Sequence, residues 1–223
     1  MTVTNYDFEG GTANAALTTA ATGAILVNGG TFTPDAMHGS LAANFTGNHV
    51  CRWAFDSATK MAFRIYVKFD ATPSGILTFA TLQYSGGATL GLAFTTSNQV
   101  CMSAAAVLIP PTGTSYVGIS QSTWYRIEVL VDLDAVTAEM HVYEGDSTAE
   151  VGSTSGSAFT VKGTPLLNAD TGIVNQVTGD VTIDDVAVNP GGTTLIGPVA
   201  ATPTEDGEYL YTGGQWVRVT VAS

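Results

Sequence analysis

The chain has 223 residues, of which 45% are hydrophobic and only 12% charged, and its 19 acidic against seven basic side chains give a net charge of −12. That balance argues against nucleic acid as a partner, because phosphate backbones are held by clustered Lys and Arg. The length suits one large β domain with a real core, and the most apolar run, CMSAAAVLIPP, is too short to insert in a membrane and ends in prolines.

The first residues, MTVTNYDFEGG, hold neither a basic region nor an apolar stretch of the kind that opens a secretion signal, so synthesis in the cytoplasm is expected. Asn5–Phe8 reads as a first strand closed by Glu9-Gly10-Gly11. The Ala/Thr-rich segment up to Gly23 reads as a loop, with a weak helix as the alternative. Ala24–Val27 and Thr31–Thr33 are short strands about Asn28-Gly29-Gly30, and Leu41–Phe45 and Val50–Phe55 flank the turn Thr46-Gly47-Asn48-His49.

Met61–Asp70 alternates clearly. Met61, Phe63, Ile65, Val67 and Phe69 share one face, with Arg64, Tyr66 and Lys68 on the other. A period of two marks a strand with one face buried. Gly75–Tyr84, Leu90–Thr95 and Gln99–Ser103 follow as a meander with turns at Ser85-Gly86-Gly87 and Ser97-Asn98. Pro110-Pro111-Thr112-Gly113 is a loop, and Tyr116–Ile119 leads into the most legible element of the chain.

That element is a long hairpin. Trp124–Leu133 buries Tyr125, Ile127, Val129, Val131 and Leu133; Asp132-Leu133-Asp134-Ala135 turns it; Thr137–Tyr143 alternates again. A polar loop to Gly156 comes next, then strand candidates Phe159–Lys162, Ile173–Val177 and Asp180–Asn189. Short strands at even spacing, with turn signals between them, predict two packed antiparallel sheets.

Pro190-Gly191-Gly192 interrupts the pattern, and residues 191–206 read as a linker. Residues 207–223 then form a hairpin signal, EYLYT and QWVRVT about Gly213-Gly214. A lone hairpin is marginal in water, so Tyr209, Tyr211 and Trp216 are expected to serve docking or oligomerisation. Cys51 and Cys101 make no disulfide framework and read as two small buried side chains.

Asp7-Phe8-Glu9-Gly10, MAFRIYVKF, the STWYRIEVLVDLDAVTAEMHVYEG hairpin and the closing GDVTIDDVAV, in that order, resemble the concanavalin A-like jelly-roll superfamily, in particular its laminin-G-like branch. The resemblance covers roughly Val3–Asn189. It implies an all-β, two-sheet antiparallel jelly-roll sandwich with a small C-terminal β-hairpin. It also implies calcium at a rim, with Asp132, Asp134, Asp184 and Asp185 as the candidates by position. In overall style the acidic chain, with its Gly/Pro linker and terminal hairpin, also resembles accessory virion proteins of tailed bacteriophages.

The outward parity of the two best strands supplies Arg64, Tyr66, Lys68, Arg126, Glu128, His141 and Tyr143. If these strands are neighbours they form a polar, aromatic-studded face suited to a cell-surface glycan; the alternative is the ordinary solvated side of a half-buried sheet. The E-x-D-x-x-E or E-x-D-x-E spacing of jelly-roll glucanases is absent. Glu128 and Asp132, the nearest same-face pair, stand about 13 Å apart along a strand, too far for a retaining pair. The expectation is therefore a non-enzymatic virion structural protein, a capsid decoration or minor tail protein, homo-oligomeric and in contact with other virion proteins, displaying a lectin-like sandwich. A free-standing carbohydrate-binding lectin-like module is the alternative, and a glycan hydrolase a weaker one.

Overall fold

The computed structural model describes residues 2–84, 89–104, 116–156, 165–175, 177–199, 209–212 and 215–218. In chain order the first elements are β1 (Thr4–Tyr6), α1 (Thr19–Thr22), β2 (Leu26–Asn28), β3 (Thr31–Thr33), β4 (Ala42–Thr46) and β5 (Val50–Ala58). Then come β6 (Lys60–Phe69), β7 (Leu77–Tyr84), β8 (Thr89–Phe94), β9 (Gln99–Ala104), β10 (Val117–Gly118) and β11 (Tyr125–Asp132). The last are β12 (Thr137–Glu144), β13 (Glu150–Gly156), β14 (Leu166–Gly172), β15 (Asp180–Pro190), β16 (Tyr209–Thr212) and β17 (Gln215–Arg218).

Among the described residues β1–β15 form two antiparallel sheets. The first runs β13-β12-β11-β6-β15-β4-β3, with β1 also on β15; the second runs β10-β9-β8-β7-β14-β5-β2. The two inner faces close on one core, as the alternation predicts. Phe63, Ile65, Ile127 and Val129 come from the first sheet, Trp53, Phe79 and Leu92 from the second, none more than 1% exposed. Phe69 of β6 stacks on Phe94 of β8 with ring centroids 4.1 Å apart, which joins the sheets at the centre. The fold is an all-β sandwich, as expected, and β16 and β17 pair only with each other among the described strands.

Two local expectations are corrected, and one open alternative is decided in favour of a helix. The segment before Gly23 holds a one-turn helix: the Thr18 hydroxyl accepts from the Ala21 N–H, and Gly23, with φ 69°, ends it. Residues expected as a polar loop contain β13, an edge strand paired to β12 whose Ser and Gly residues give no apolar alternation. The strand expected at Ile173–Val177 lies earlier, as β14. Its sequence LLNADTG is poor in strand formers, but it is hydrogen-bonded on both sides, to β5 and β7, and that pairing overrides propensity. At its end Gly172 has φ 124°, and a Cβ there would stand 2.3 Å from the His49 carbonyl oxygen. Phe159–Lys162, the Ser85-Gly86-Gly87 turn and the Pro110–Gly113 loop lie outside the described residues.

One irregularity positions the site. Between Asp184 and Ala187 the pairing of β15 with β6 slips: Asp184 faces Tyr66 but Ala187 faces Arg64. Three steps on β15 thus match two on β6, a β-bulge, and Asp185 within it has φ 41°. The core parity accordingly changes from Val181 and Ile183 to Val186 and Val188.

Candidate functional site

The strands β12, β11 and β6 are consecutive neighbours. Arg126 is opposite both Tyr66 and Tyr143, and Glu128 is opposite both Arg64 and His141. The seven residues expected on one outward face are therefore brought together on the outer side of the first sheet. The face is not solvated, however, and this corrects the sequence expectation. Arg64, Tyr66, Lys68, Arg126, Glu128 and Tyr143 are all buried; only His141 is partly open.

Three segments roof it. Residues 34–40 cover the β15 side: Lys68 pairs with Asp35, and Nδ1 of His38 meets Asp185. The turn after β12 covers another part, since Arg126 donates to the carbonyls of Gly145 at 3.3 Å and Ser147 at 3.1 Å. Residues 191–199, expected as a free linker, cross the middle. Arg64 Nη1 donates to the Gly197 carbonyl at 2.9 Å, the Gly197 N–H donates to Glu128 Oε2 at 2.8 Å, and the Val199 N–H donates to the Tyr66 hydroxyl oxygen at 3.0 Å. Roofing a charged face requires that its groups find partners inside. Arg126 Nε does so on Glu128 Oε1 at 2.8 Å, and its guanidinium lies 4.2 Å from the Tyr143 ring centre. Arg64 reaches Asn5 Oδ1 at 3.1 Å, but its Nε is buried without a partner among the described residues.

Beside this face lies a titratable cluster. His38 is clamped between Asp185, 2.6 Å from Nδ1, and Asp146, 3.0 Å from Nε2. Burial alone would lower its pKa, but the hydrogen bonds and charges of the two carboxylates overcome it and hold the imidazolium up at about 9. Tyr66 donates to the second Asp146 oxygen at 2.6 Å, and burial together with that bond raises the phenol. Asp184 accepts from the Met37, His38 and Asp185 N–H groups at 2.9–3.0 Å. Burial and the neighbouring Asp185 charge nonetheless push it up to about 7. The bulge makes this cluster, because it turns two consecutive carboxylates of β15 to one side.

His38, Asp184 and Asp185 offer ligand atoms within 4.8 Å of one another. They do not fit the expected calcium. That ion takes six to eight oxygens, whereas here an imidazole nitrogen contacts Asp185 directly and backbone N–H groups occupy Asp184. Asp132 and Asp134 are separate from this cluster, at the β11–β12 turn. Asp132 accepts from the Asp134 and Ala135 N–H groups, both at 3.0 Å, and pairs with Lys60 at 2.8 Å; Asp134 accepts from Thr59. They close a turn. His38 carries no motif and was missed in the sequence. A signal for its partners was present: apolar alternation slips between Ile183 and Val186, which marks a bulge.

Cys51 and Cys101 are buried free thiols, raised by burial to about 12 and about 11. They cannot meet, since β5 and β9 are separated in their sheet by β14, β7 and β8. On the outer side of that sheet Arg52 grips Asp170 through Nε at 2.6 Å and Nη2 at 2.8 Å, and Gln83 donates to the same carboxylate. The side chains of Tyr209, Tyr211 and Trp216 lie outside the described residues. Among the described residues no helix is long and apolar enough to cross a membrane.

An open groove of about 830 Å³ lies at the end of the sandwich where β5 turns into β6. Phe55, Pro165 and Pro190 give it apolar wall; Thr4, Asp56 and Lys60 give it polar groups.

No family model matches the chain, and no curated protein matches its sequence. Solved structures do match in fold. The cellulose induced protein Cip1 is 12% identical with a TM-score of 0.59, over 87% of this chain and 99% of that one. Arcelin-5, a lectin-like defense protein from Phaseolus vulgaris, is 10% identical with a TM-score of 0.51, over 84% and 96%. A Trypanosoma rangeli sialidase in complex with 2,3-difluoro-KDN is 14% identical with a TM-score of 0.51, over 82% of this chain. The chain spans 29–30% of the length of the Trypanosoma rangeli sialidases it matches. At these identities the likeness is one of fold alone: an all-β sandwich of two antiparallel sheets.

Proposed function

We propose that the chain is a non-enzymatic, carbohydrate-binding sandwich module. The observation that carries this reading is the open groove at the β5–β6 turn. Its Phe55 and proline walls offer an apolar platform, and Thr4, Asp56 and Lys60 offer hydrogen-bonding groups of both kinds. That is the combination a sugar ring needs, and the volume lies in the range of small-ligand sites. Lectin-like folds among the structural neighbours support the same class. Glu128 favours binding over hydrolysis: both its oxygens are engaged, by Arg126 and by Gly197.

The test is binding to an array of neutral and acidic oligosaccharides, compared with Asp56→Ala and Phe55→Leu. The proposal expects both variants to remain folded and to lose most of the binding. Folded protein that binds no sugar would overturn it.

A second reading concerns where the module acts. Among the described residues the ribbon of β16 and β17 pairs with neither sandwich sheet, and a two-stranded ribbon is marginal by itself. This supports an appendage that docks the module on a larger assembly, such as a phage capsid or tail, or on further copies. Removing residues 200–223 should then lower the copy number on purified particles, or the oligomeric state, while leaving the sandwich folded. Unchanged assembly would sink it.

A further inference from the structure

The roofed face of the first sheet carries no surplus cation yet is incompletely bonded. Arg64, Arg126 and His38 are offset by Glu128, Asp185 and Asp146, Lys68 by Asp35 and Asp70, and Asp184 adds a further buried carboxyl. Within it Arg64 is only 4% exposed, and its Nε has no partner among the described residues. What lies against this face is a segment that it holds by polar bonds. Over three residues the segment presents one acceptor, the Gly197 carbonyl to Arg64, and two donors, the Gly197 and Val199 N–H groups to Glu128 and Tyr66.

The segment itself is weakly seated. Only Gly192 of residues 191–199 is buried; Leu195 and Ile196 are half-buried, and Thr193, Thr194 and Pro198 are exposed. A stretch with few buried apolar contacts opens locally at low cost. Gly191 and Gly197, with φ of 75° and 85°, supply bends at its two ends.

We infer that residues 191–199 plug a second sugar-binding site, formed by Arg64, Glu128, Tyr66 and Arg126, which takes a neutral polyhydroxyl ligand when the segment lifts. A hydroxyl oxygen replaces the Gly197 carbonyl on Arg64 and reaches its orphan Nε. Hydroxyl protons replace the two N–H groups on Glu128 and Tyr66. The Tyr143 ring under Arg126 closes one side. A neutral ligand fits because the face carries no surplus cation; an acidic sugar would place its charge near Glu128 and Asp185. The inference rests on the carbohydrate reading above but concerns a different site, and the two can fail separately.

Full-length protein is compared with Gly197→Pro, which fixes φ near −65° and removes the N–H donated to Glu128. Titrations use cellohexaose and, as an acidic control, trigalacturonate. Cellohexaose should bind Gly197→Pro about tenfold more tightly than the unmodified chain, roughly one to two hydrogen bonds of segment stability. The gain should vanish with Glu128→Gln added and persist with Phe55→Leu added. In the unmodified chain, hydrogen exchange at the Gly197 and Val199 amides should speed up with saturating cellohexaose, a readout that does not depend on the proline variant folding. Unchanged exchange at those amides, equal gains for both sugars, or capture of a 191–199 peptide with no sugar binding would each overturn the inference. Groove binding that is lost in Phe55→Leu, with no gain in Gly197→Pro, overturns this inference alone; sugar binding by Gly197→Pro alone upholds it and overturns the groove reading.

Discussion

Nδ1 of His38 stands 2.6 Å from the Asp185 carboxylate, although 147 residues separate the two in the chain. The contact ties the loop over the first sheet to the bulge of β15, and Asp146 completes the clamp from a third segment. Replacing His38 by Ala leaves Asp185 and Asp146 facing each other without a cation between them. Breaking a fully buried pair costs about 3–5 kcal/mol; this one is partly open to water, so a loss of about 2 kcal/mol is expected. Urea unfolding followed by tryptophan fluorescence measures it, and a loss below the scatter of replicate curves would contradict the clamp.

The same cluster sets the pH response. His38 is held at about 9, above the usual 6.5, so its contribution is whole below about pH 6.5 and lost as pH climbs through 9. Asp184, raised from 3.8 to about 7, acts in the same direction: its contribution is whole near pH 4 and gone above 7. Asp146, lowered by Tyr66 and His38 against the effect of burial, opposes both only in acid. The melting temperature should therefore fall in two steps between pH 4 and 9. Asp184→Asn should remove the lower step and His38→Gln the upper one.

Gly172 tests the packing of β14. Its φ of 124° is a backbone region that side chains avoid, and the His49 carbonyl and Phe45 ring crowd the position. Gly172→Ala is expected to cost at least ~2 kcal/mol. Gly47→Ala, also at positive φ but with open space around it, should cost less. Denaturant midpoints of the two variants decide the order.

At the β11–β12 turn, Asp132 is held below the usual carboxylate range by Lys60 and by the backbone N–H groups of Ala135 and Asp134. It acts there as a turn acceptor. Millimolar calcium should leave the melting temperature unchanged, and Asp132→Ala should lower it more than Lys60→Met does. A calcium-dependent rise abolished by Asp132→Ala would restore the rim-site expectation.

Much of the sandwich was legible because a strand with one buried face announces itself. Met61 to Phe69 and Tyr125 to Leu133 mark their inner residues by alternation alone, and Thr31–Thr33 falls where it was expected. β14 was not legible, since Asn168, Ala169 and Asp170 are a strand only because β5 and β7 flank them. The outer face was half legible. Parity placed Arg64, Tyr66, Arg126 and Glu128 together, but parity says nothing about a roof, and nothing in GGTTLIGPV distinguishes a segment lying on a sheet from a linker in water. His38 was invisible for the same reason. Its partners are 108 and 147 residues away, and a lone histidine beside a glycine carries no pattern.

The bulge of β15 has an evolutionary consequence. Val181, Ile183, Val186 and Val188 cannot all point inward on a regular strand; with Asp185 deleted they would alternate without a fault. Losing that one codon would thus remove one of the two carboxylates on His38 yet leave the hydrophobic register intact, whereas losing a codon from β6 or β11 would invert a whole face. Asp185 is the extra residue in an otherwise ordinary strand, and this one carboxylate can be lost in a single step while the sandwich keeps its register.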